Sequence, residues 1–325
     1  MKITFYDNHQ TLTYNPETQY SIGVGGTETV IIETAKALAQ LGHEINVYIN
    51  CDKPNIYNGI NYHHFNDYKP SGEDVFIGFE TFPDYFDATK KINWTNRAES
   101  SPILKYPNVD HIISVSKYHQ NFFKTILPKE LFNKMSVISL GVDPIFFQDV
   151  EKTPNSIIYA GHPGKGGMSW LPEIKKQLPE YSIDVYGGGK LWGSSEVYYE
   201  HIYQNLKENN INYNGQIGKI DLATALNKSK IFIYPVEYHH IETFCLVVLE
   251  AMAAGCYVIA SDSGNLSNLV KHYGTIIRGD KYDFTDIASK IIRELQYIDI
   301  NNIKNYAKKF TWLKTAQQLL EVIND

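Results

Sequence analysis

Two carboxylates that could recognise an elongated ligand, Glu242 and Glu250, lie eight residues apart in the sequence. If the apolar segment from Leu246 onward is helical, they are roughly 12 Å apart along its axis, which is too far for a close acid/base pair. They could instead accept hydrogen bonds from hydroxyl groups at the two ends of such a ligand. The backbone N–H groups of residues 244–247, free at the helix start, would face anionic groups between them.

The structural alternative is that Glu242 complements the helix dipole and that Glu250 is a surface residue. Glu250, however, stands between Leu249 and Ala251 in a run of apolar residues, where an unsatisfied carboxylate is costly. This context favours a binding role for the two carboxylates.

Two glycine-containing segments could approach an anion. Residues 161–167 follow a predicted strand, but they are not a P-loop because no Ser or Thr follows Lys165 to hold magnesium. A lysine among glycines can still bind phosphate as a point charge; the alternative is a solvated lysine in a turn. Gly25 and Gly26 precede another predicted helix and could admit an anion, or form a plain loop and N-cap. A dinucleotide fingerprint would need glycine in place of Glu28.

A metal site is not predicted. The histidine pairs His63-His64 and His239-His240 are poor candidates, because adjacent strand residues point to opposite faces of a sheet. The sequence also contains no Asp-x-Asp, the usual clue to a divalent ion that grips a nucleotide diphosphate. We therefore expect the protein to need no metal and no cofactor.

The elements that must position these residues alternate between strands and helices in both halves of the chain. Apolar periodicity predicts strands at residues 2–6, 43–49, 75–77, 111–115, 137–139, 156–160, 183–186, 231–235 and 257–260. It predicts helices from residue 27 to 41 and at 117–126, 170–177, 246–254, 286–295 and 302–323, the last broken near Phe310.

Each half therefore has the pattern of a doubly wound sheet, in which ligands bind at the carboxyl ends of the strands. We predict an α/β fold of two Rossmann-like domains that face each other across a cleft, with the ligand in the cleft. A polar stretch with two prolines, residues 144–155, is predicted as the linker. The domains would then comprise residues 1–147 and 148–308.

Composition narrows the class of protein. A chain of 325 residues tends to split into two cores, and its formal net charge of −6 does not favour nucleic acid as a partner. The three cysteines have neither an even count nor metal-site spacing, which indicates a reducing cytosol. The N-terminus does not have the pattern of a signal peptide, and the most apolar run, 246–260, is interrupted by Glu250 and Gly255. We expect a cytoplasmic protein.

At these residues the chain resembles the retaining glycosyltransferases of family 4, also called glycosyltransferase group 1, which have the GT-B fold. The sharpest match runs from Tyr234-Pro235 through Glu242, seven intervening residues and Glu250, and then continues as Ala-Met-Ala-Ala-Gly to Gly255. Looser matches include Gly25-Gly26. The ordered series spans nearly the whole chain and is more specific than any single piece.

The resemblance implies a role for each matching residue. Glu242 would contact the hydroxyl groups of the donor sugar, Glu250 would accept from the ribose, and Lys165 would pair with the diphosphate. The last helix, residues 309–325, would pack back on the first domain. Together the implied donor-binding residues are Gly25, Gly26, His162, Lys165, Gly187, Gln216, Ile217, Glu242, Thr243, Phe244, Cys245, Leu246, Val247 and Glu250.

The sequence departs from the family pattern at three places. Cys245 stands where the family usually has glycine, and the arginine that usually precedes Lys165 is absent, with His162 nearest. The third is the first-domain stretch in which the family often has histidine, which here reads Trp-Thr-Asn-Arg and ends at Arg97. Arg97 could supply the missing positive charge from across the cleft, so the predicted catalytic residues are Glu242, Lys165 and Arg97.

The resemblance implies a retaining, metal-independent enzyme that moves a hexose from a UDP- or GDP-sugar to a glycan or another hydroxyl acceptor, which could be lipid-linked or part of a protein. The alternatives are another GT-B enzyme, such as a nucleotide-sugar epimerase or a phosphorylase, and a non-catalytic nucleotide-sugar-binding protein. The basic and aromatic stretch at residues 117–134 could touch an anionic membrane, although a solvated amphipathic helix is the favoured interpretation.

Overall fold

The computed structural model describes residues 1–9, 11–237 and 239–325, and the chain divides into two compact units. Unit 1 comprises residues 1–19, 24–141 and 310–325, and unit 2 comprises residues 20–23 and 142–309.

The strands are β1 (Lys2–Tyr6), β2 (Glu44–Ile49), β3 (Asn55–Tyr57), β4 (Ile60–His64), β5 (Glu73–Phe79), β6 (Ala88–Thr95), β7 (His111–Ser114), β8 (Met135–Val137), β9 (Thr153–Ala160), β10 (Ser182–Tyr186), β11 (Asn212–Tyr213), β12 (Ser229–Tyr234), β13 (Tyr257–Ser261) and β14 (Gly274–Ile277). The helices are α1 (Thr18–Ser21), α2 (Gly26–Gln40), α3 (Ser101–Lys105), α4 (Lys117–Ile126), α5 (Leu171–Gln177), α6 (Glu200–Glu208), α7 (Lys219–Lys228), α8 (Leu246–Ala253), α9 (Leu266–Val270), α10 (Lys281–Glu294), α11 (Ile300–Ala307) and α12 (Trp312–Asn324). In the described part of the chain, none of these helices is both long enough and apolar enough to cross a membrane.

Unit 1 is built on a sheet with the strand order β3-β4-β2-β1-β5-β6-β7-β8. The strands pair in parallel except for β3, which is antiparallel to β4 at one edge. The central strands are buried along nearly their whole length, as expected when helices cover both faces of a parallel sheet. Helix α12 packs against α2, and the Thr315 hydroxyl donates to the Ser139 carbonyl at 2.8 Å.

Unit 2 is built on a fully parallel sheet with the order β11-β10-β9-β12-β13-β14. Its central strands, β9 and β12, end in buried apolar residues, and loops rich in glycine and polar residues follow them. The carboxyl ends of parallel strands share one edge of a sheet, so the loops after β9, β10, β12 and β13 come together. This is the edge where the sequence places most of its candidate residues.

The division between the units falls at Gly141 and Val142, six residues before the predicted boundary. The reason is that residues 143–146 form an ion pair and a hydrogen bond with α7 of unit 2. The Lys219 ammonium lies 3.2 Å from the Asp143 carboxylate, and the Asn227 amide donates to the Phe146 carbonyl at 3.0 Å.

The predicted α/β class is confirmed, and so are most of the predicted elements, with shifts at their ends. Strand β8 lies two residues earlier than predicted. Helix α10 begins five residues earlier than predicted, because the Asp280 carboxylate caps it by accepting from the Tyr282 and Asp283 N–H groups. The sequence did not reveal β6, in which Lys90 and Lys91 interrupt the apolar pattern.

Candidate functional site

Two of the predicted catalytic residues meet at the carboxyl edge of the unit 2 sheet. Lys165 ends a 3-10 turn just after β9, and Glu242 lies in the loop between β12 and α8. The Lys165 Nζ atom lies 2.6 Å from Glu242 Oε1, although the two residues are 77 positions apart in the chain. The Lys165 side chain is 15% exposed and the Glu242 side chain 8%, so the ion pair is largely shielded from water.

Tyr234, the last residue of β12, completes a triangle of hydrogen bonds with this pair. Lys165 Nζ donates to the Tyr234 hydroxyl at 2.9 Å, and that hydroxyl donates to Glu242 Oε1 at 2.8 Å. Tyr234 is fully buried and its ring stacks on Tyr159, with the centroids 5.8 Å apart. The Tyr234 hydroxyl is thus hydrogen-bonded to both charged groups and fixes their positions.

The electrostatics of the triangle favour a charged pair. Burial alone would raise the pKa of Glu242, but the Lys165 ammonium and the hydrogen bonds from Lys165 and Tyr234 lower it below its ordinary value. Burial alone would lower the pKa of Lys165, but the Glu242 carboxylate raises it. Both groups are therefore ionised at neutral pH. An ammonium has three N–H donors and two are used here, so one remains for an anionic ligand.

The glycines of these loops allow close backbone packing. Gly166 follows Lys165 with a left-handed φ of +83°, and a Cβ there would come within 2.3 Å of the Glu237 side chain. Gly187 follows β10 with a φ of +110°, and a Cβ there would lie 2.1 Å from the Gly161 carbonyl oxygen. Glycine avoids both the steric clash and the strain of a left-handed backbone, so the loops after β9 and β10 can pack directly on each other.

Cys245 adopts a backbone conformation that glycine would adopt more easily. It is the N-cap of α8 and has a left-handed φ of +76°. This explains why a glycine is expected at this position from the family resemblance. The thiol is buried, and burial together with the Glu242 carboxylate raises its pKa, so that it stays protonated at neutral pH and is a poor nucleophile.

His162 is a supporting residue rather than an available ligand for phosphate. It is 3% exposed, its Nδ1 accepts from the Gly164 N–H at 3.0 Å, and its Nε2 lies 3.3 Å from the Gly189 carbonyl. Burial lowers its pKa to about 4, which matches a neutral ring whose two nitrogens are both occupied. The indole of Trp192 stacks on this ring at a centroid distance of 3.9 Å.

The other predicted donor-binding residues of unit 2 lie beside Glu242, on α8, or between β11 and α7. Thr243 and Phe244 are buried beside Glu242, whereas Leu246 and Val247 are partly exposed in the first turn of α8 and Glu250 is partly exposed further along it. The Gln216 amide donates to the Gly23 carbonyl at 3.3 Å, within unit 2, and Ile217 packs against the same glycine.

The remaining predicted residues, Gly25, Gly26 and Arg97, belong to unit 1. Gly25 is the N-cap of α2, which begins at Gly26. Arg97 follows β6, and its Nε lies 2.5 Å from the buried Glu80 carboxylate. Their predicted roles toward the donor stay predictions.

Sequence reasoning gave Tyr234, Trp192 and His240 no role in the ligand site, although Tyr234 opens the segment of the sharpest family match and His240 was considered only as a metal ligand. His240 Nε2 lies 3.6 Å from Glu242 Oε1, and burial lowers the His240 pKa. A signal was available for two of them. Tyr234 is the last residue but one of the strand predicted at residues 231–235. Trp192 follows the three glycines after the strand predicted at residues 183–186. Both positions fall at the edge of the sheet where ligands bind.

The site lies in a region that is similar to known proteins. Residues 168–310, nearly all within unit 2, match the family described as Glycosyl transferases group 1. Unit 2 contains a glycosyltransferase group 1 domain. The matched range of this group 1 domain includes Tyr234, Glu242 and Cys245, and Lys165 precedes it by three residues.

The chain is also similar to the uncharacterized glycosyltransferase MJ1178 of Methanocaldococcus jannaschii. The two are 27% identical over 227 residues, which is 67% of this chain and 60% of the relative. The chain therefore matches less than two thirds of that relative's length.

Solved structures of other proteins establish the fold around the group 1 domain. Sucrose-phosphate synthase from Thermosynechococcus elongatus superposes with a TM-score of 0.81 at 16% identity, over 99% of this chain and 98% of that one. HepE of Anabaena, in complex with UDP-glucose, superposes with a TM-score of 0.73 at 14% identity, over 100% and 99% of the two chains. At these identities the likeness shows the fold alone, and it confirms the predicted GT-B fold.

Proposed function

We propose that this protein is a retaining, metal-independent glycosyltransferase that moves a hexose from a UDP- or GDP-sugar to a hydroxyl group of a glycan or another acceptor. The observation that carries the proposal is the buried triangle of Lys165, Tyr234 and Glu242 at the carboxyl edge of the sheet of unit 2. The family match around it and the UDP-glucose complex of the similar HepE structure support the choice of a nucleotide-sugar.

The chemical difficulty of the transfer is the negative charge that grows on the departing diphosphate. Lys165, with one N–H not used by Tyr234 or Glu242, would neutralise that charge. The N–H groups in the first turn of α8 would add to the effect. Removing one such preorganised donor typically lowers the rate by about 100- to 1,000-fold.

Glu242 would accept hydrogen bonds from hydroxyl groups of the sugar. In the structure it is held in place by Tyr234 and Lys165, so its orientation does not depend on the ligand. It is therefore suited to positioning the sugar rather than attacking it. The nearby Cys245 thiol is protonated, so no covalent nucleophile is proposed, and the acceptor would attack on the face from which the diphosphate leaves.

Metal independence follows in this proposal from Lys165, which supplies the positive charge that a divalent ion would otherwise provide. Its test is turnover in the presence of a chelator such as EDTA. We expect unchanged turnover, and loss of activity that magnesium or manganese restores would contradict this part of the proposal.

The function itself is tested by incubating the protein with UDP- and GDP-sugars and a panel of glycan acceptors, and by analysing the products. We expect a new glycosidic bond that keeps the donor's anomeric configuration, and Glu242→Ala should abolish its formation. An epimerised donor, or phosphate-dependent cleavage without a new glycoside, would indicate the alternative GT-B enzymes. Binding without any turnover would indicate a nucleotide-sugar-binding protein.

A further inference from the structure

The segment from Gly189 to Tyr199, between β10 and α6, forms two 3-10 turns with a fixed arrangement. The Glu196 carboxylate accepts from the Gly189 and Lys190 N–H groups at 3.1 and 3.0 Å and from the Tyr203 hydroxyl at 2.6 Å. Three hydrogen bonds on one carboxylate tie both ends of the segment to α6. The side chains that it presents are therefore held in place rather than free to move with a loose loop.

Trp192 in this segment differs from the other tryptophans of the chain. It is 47% exposed, whereas Trp94, Trp170 and Trp312 are at most 8% exposed. Its ring lies nearly parallel to the His162 ring, with an angle of 13° and a centroid distance of 3.9 Å. His162 is itself buried and hydrogen-bonded, so the exposed indole rests on a rigid support.

Trp192 also borders the Lys165–Glu242 pair. Lys165 Nζ lies 5.7 Å from the centroid of the indole. The centroids of the His240 and Trp192 rings are 6.0 Å apart, and the two ring planes meet at an angle of 20°. The same ammonium is hydrogen-bonded to Glu242, and His240 Nε2 is 3.6 Å from Glu242 Oε1. The indole is thus placed beside the charged pair.

We propose that Trp192 is a stacking platform for the sugar ring of the nucleotide-sugar, a subsite that rests on the proposed function. The apolar C–H face of a hexose would pack on the exposed part of the indole while its hydroxyl edge reaches Glu242. Lys165, in contact range of both residues, would hold the phosphate to which that sugar is attached. The nucleobase, separated from the sugar by two phosphates and a ribose, would lie beyond this platform.

The experiment is calorimetric titration of the full chain with UDP-glucose, GDP-mannose, UDP and GDP. We expect Trp192→Ala to weaken binding of the preferred nucleotide-sugar about five- to tenfold, the range typical of one aromatic stacking contact, and to leave binding of the free nucleotide unchanged. Trp192→Phe should restore most of the affinity because it keeps an aromatic face. Tyr198→Ala, which removes a 72% exposed ring of the same segment, is the matched control and should have no effect.

Intrinsic fluorescence gives a second readout. Because Trp192 is the most exposed indole, the nucleotide-sugar should change the emission of the wild-type protein, and Trp192→Phe should remove most of that change. A wild-type protein that binds no nucleotide-sugar would overturn the proposed function and this subsite together. Wild-type binding that Trp192→Ala leaves intact would overturn the subsite alone, and so would an equal loss of affinity for the free nucleotide. Thermal unfolding of each variant checks that it is folded.

Discussion

Each unit places a basic side chain against a buried glutamate, but the two pairs are held in different ways. In unit 1, the Glu80 carboxylate accepts from Arg97 Nε at 2.5 Å and also from the backbone N–H groups of Asn96 and Arg97, at 2.8 and 2.9 Å. In unit 2, the Glu242 carboxylate is held by two side chains, Lys165 and Tyr234. The first pair is tied to the backbone of its own loop, whereas the second is fixed by side chains and leaves one N–H of Lys165 for an anionic ligand.

The pKa values of buried carboxyl groups also differ between the two units. In unit 1, burial raises the pKa of Asp7 to about 7 and of Glu28 to about 8. In unit 2, Lys165 keeps the pKa of Glu242 below its ordinary value in spite of burial. Asp7 and Glu28 are therefore partly or largely protonated near neutral pH, while Glu242 remains an acceptor for hydroxyl groups.

The largest expected difference between the two pairs is in turnover. Lys165→Ala should lower the rate by about 100- to 1,000-fold, because it removes the charge that would face the leaving diphosphate. Arg97→Ala should chiefly lower the melting temperature, because it leaves the Glu80 carboxylate without its ionic partner.

The comparison is made by measuring the steady-state turnover and the melting temperature of both variants. The control is Lys176→Ala, which breaks an exposed Lys–Glu pair on α5 and should change neither quantity. An Arg97→Ala protein of unchanged stability and strongly reduced turnover would contradict the contrast. It would support instead the catalytic role that the sequence predicts for Arg97.

The Tyr159 and Tyr234 pair offers a matched test of the triangle. Both rings are fully buried and stacked on each other, but the Tyr159 hydroxyl has no hydrogen-bond partner among the described residues. Tyr234→Phe should lower kcat about tenfold, because it removes a hydrogen bond to each of two charged groups. Tyr159→Phe should leave kcat unchanged. Equal effects of the two substitutions would mean that the Tyr234 hydroxyl does not position Lys165 and Glu242.

The raised pKa values in unit 1 predict how its stability depends on pH. The ordinary pKa values of Asp7 and Glu28 are 3.8 and 4.5, and their folded values are about 7 and about 8. The folded state therefore binds more protons, so their contribution to stability is full below about pH 4 and is lost as pH rises through 7 and 8. Each group adds a slope of at most about 1.4 kcal/mol per pH unit.

Glu28→Gln should remove its share of that slope, since the amide does not titrate. Chemical denaturation between pH 4 and pH 9 measures the free energy of unfolding for this comparison. A slope that stays as steep as in the wild-type protein would show that Glu28 is not the titrating group. Glu44→Gln, an exposed change on β2 of the same unit, is the control.

The smallest effect is expected at Cys245. Alanine in a left-handed conformation costs about 1–2 kcal/mol that glycine avoids, so Cys245→Gly should be more stable than Cys245→Ala although it removes more atoms. Part of this difference is offset by the greater freedom of glycine in the unfolded chain. The reverse order of melting temperatures would mean that the left-handed backbone at this position is not strained.

The predicted parts of the fold are those for which local patterns suffice. The stripe of apolar residues along α2 and the alternation of apolar and polar residues in β1 and β2 each lie within a single element, so they were visible without a structure. Strand β6 was not, because its first half is partly exposed and carries two lysines, and only pairing with β5 and β7 makes it a strand.

The sequence alone determined the chemical character of this protein. The types and order of Lys165, Glu242 and Glu250, beside glycines and a helix start, already indicated a site for an anion with hydroxyl groups. Only the tertiary structure decided that Lys165 and Glu242 form a hydrogen-bonded triangle with Tyr234, and that Trp192 stacks on His162 beside them. The physical reason is that these contacts join loops from different strands, so they follow from how the sheet is assembled and not from any local pattern.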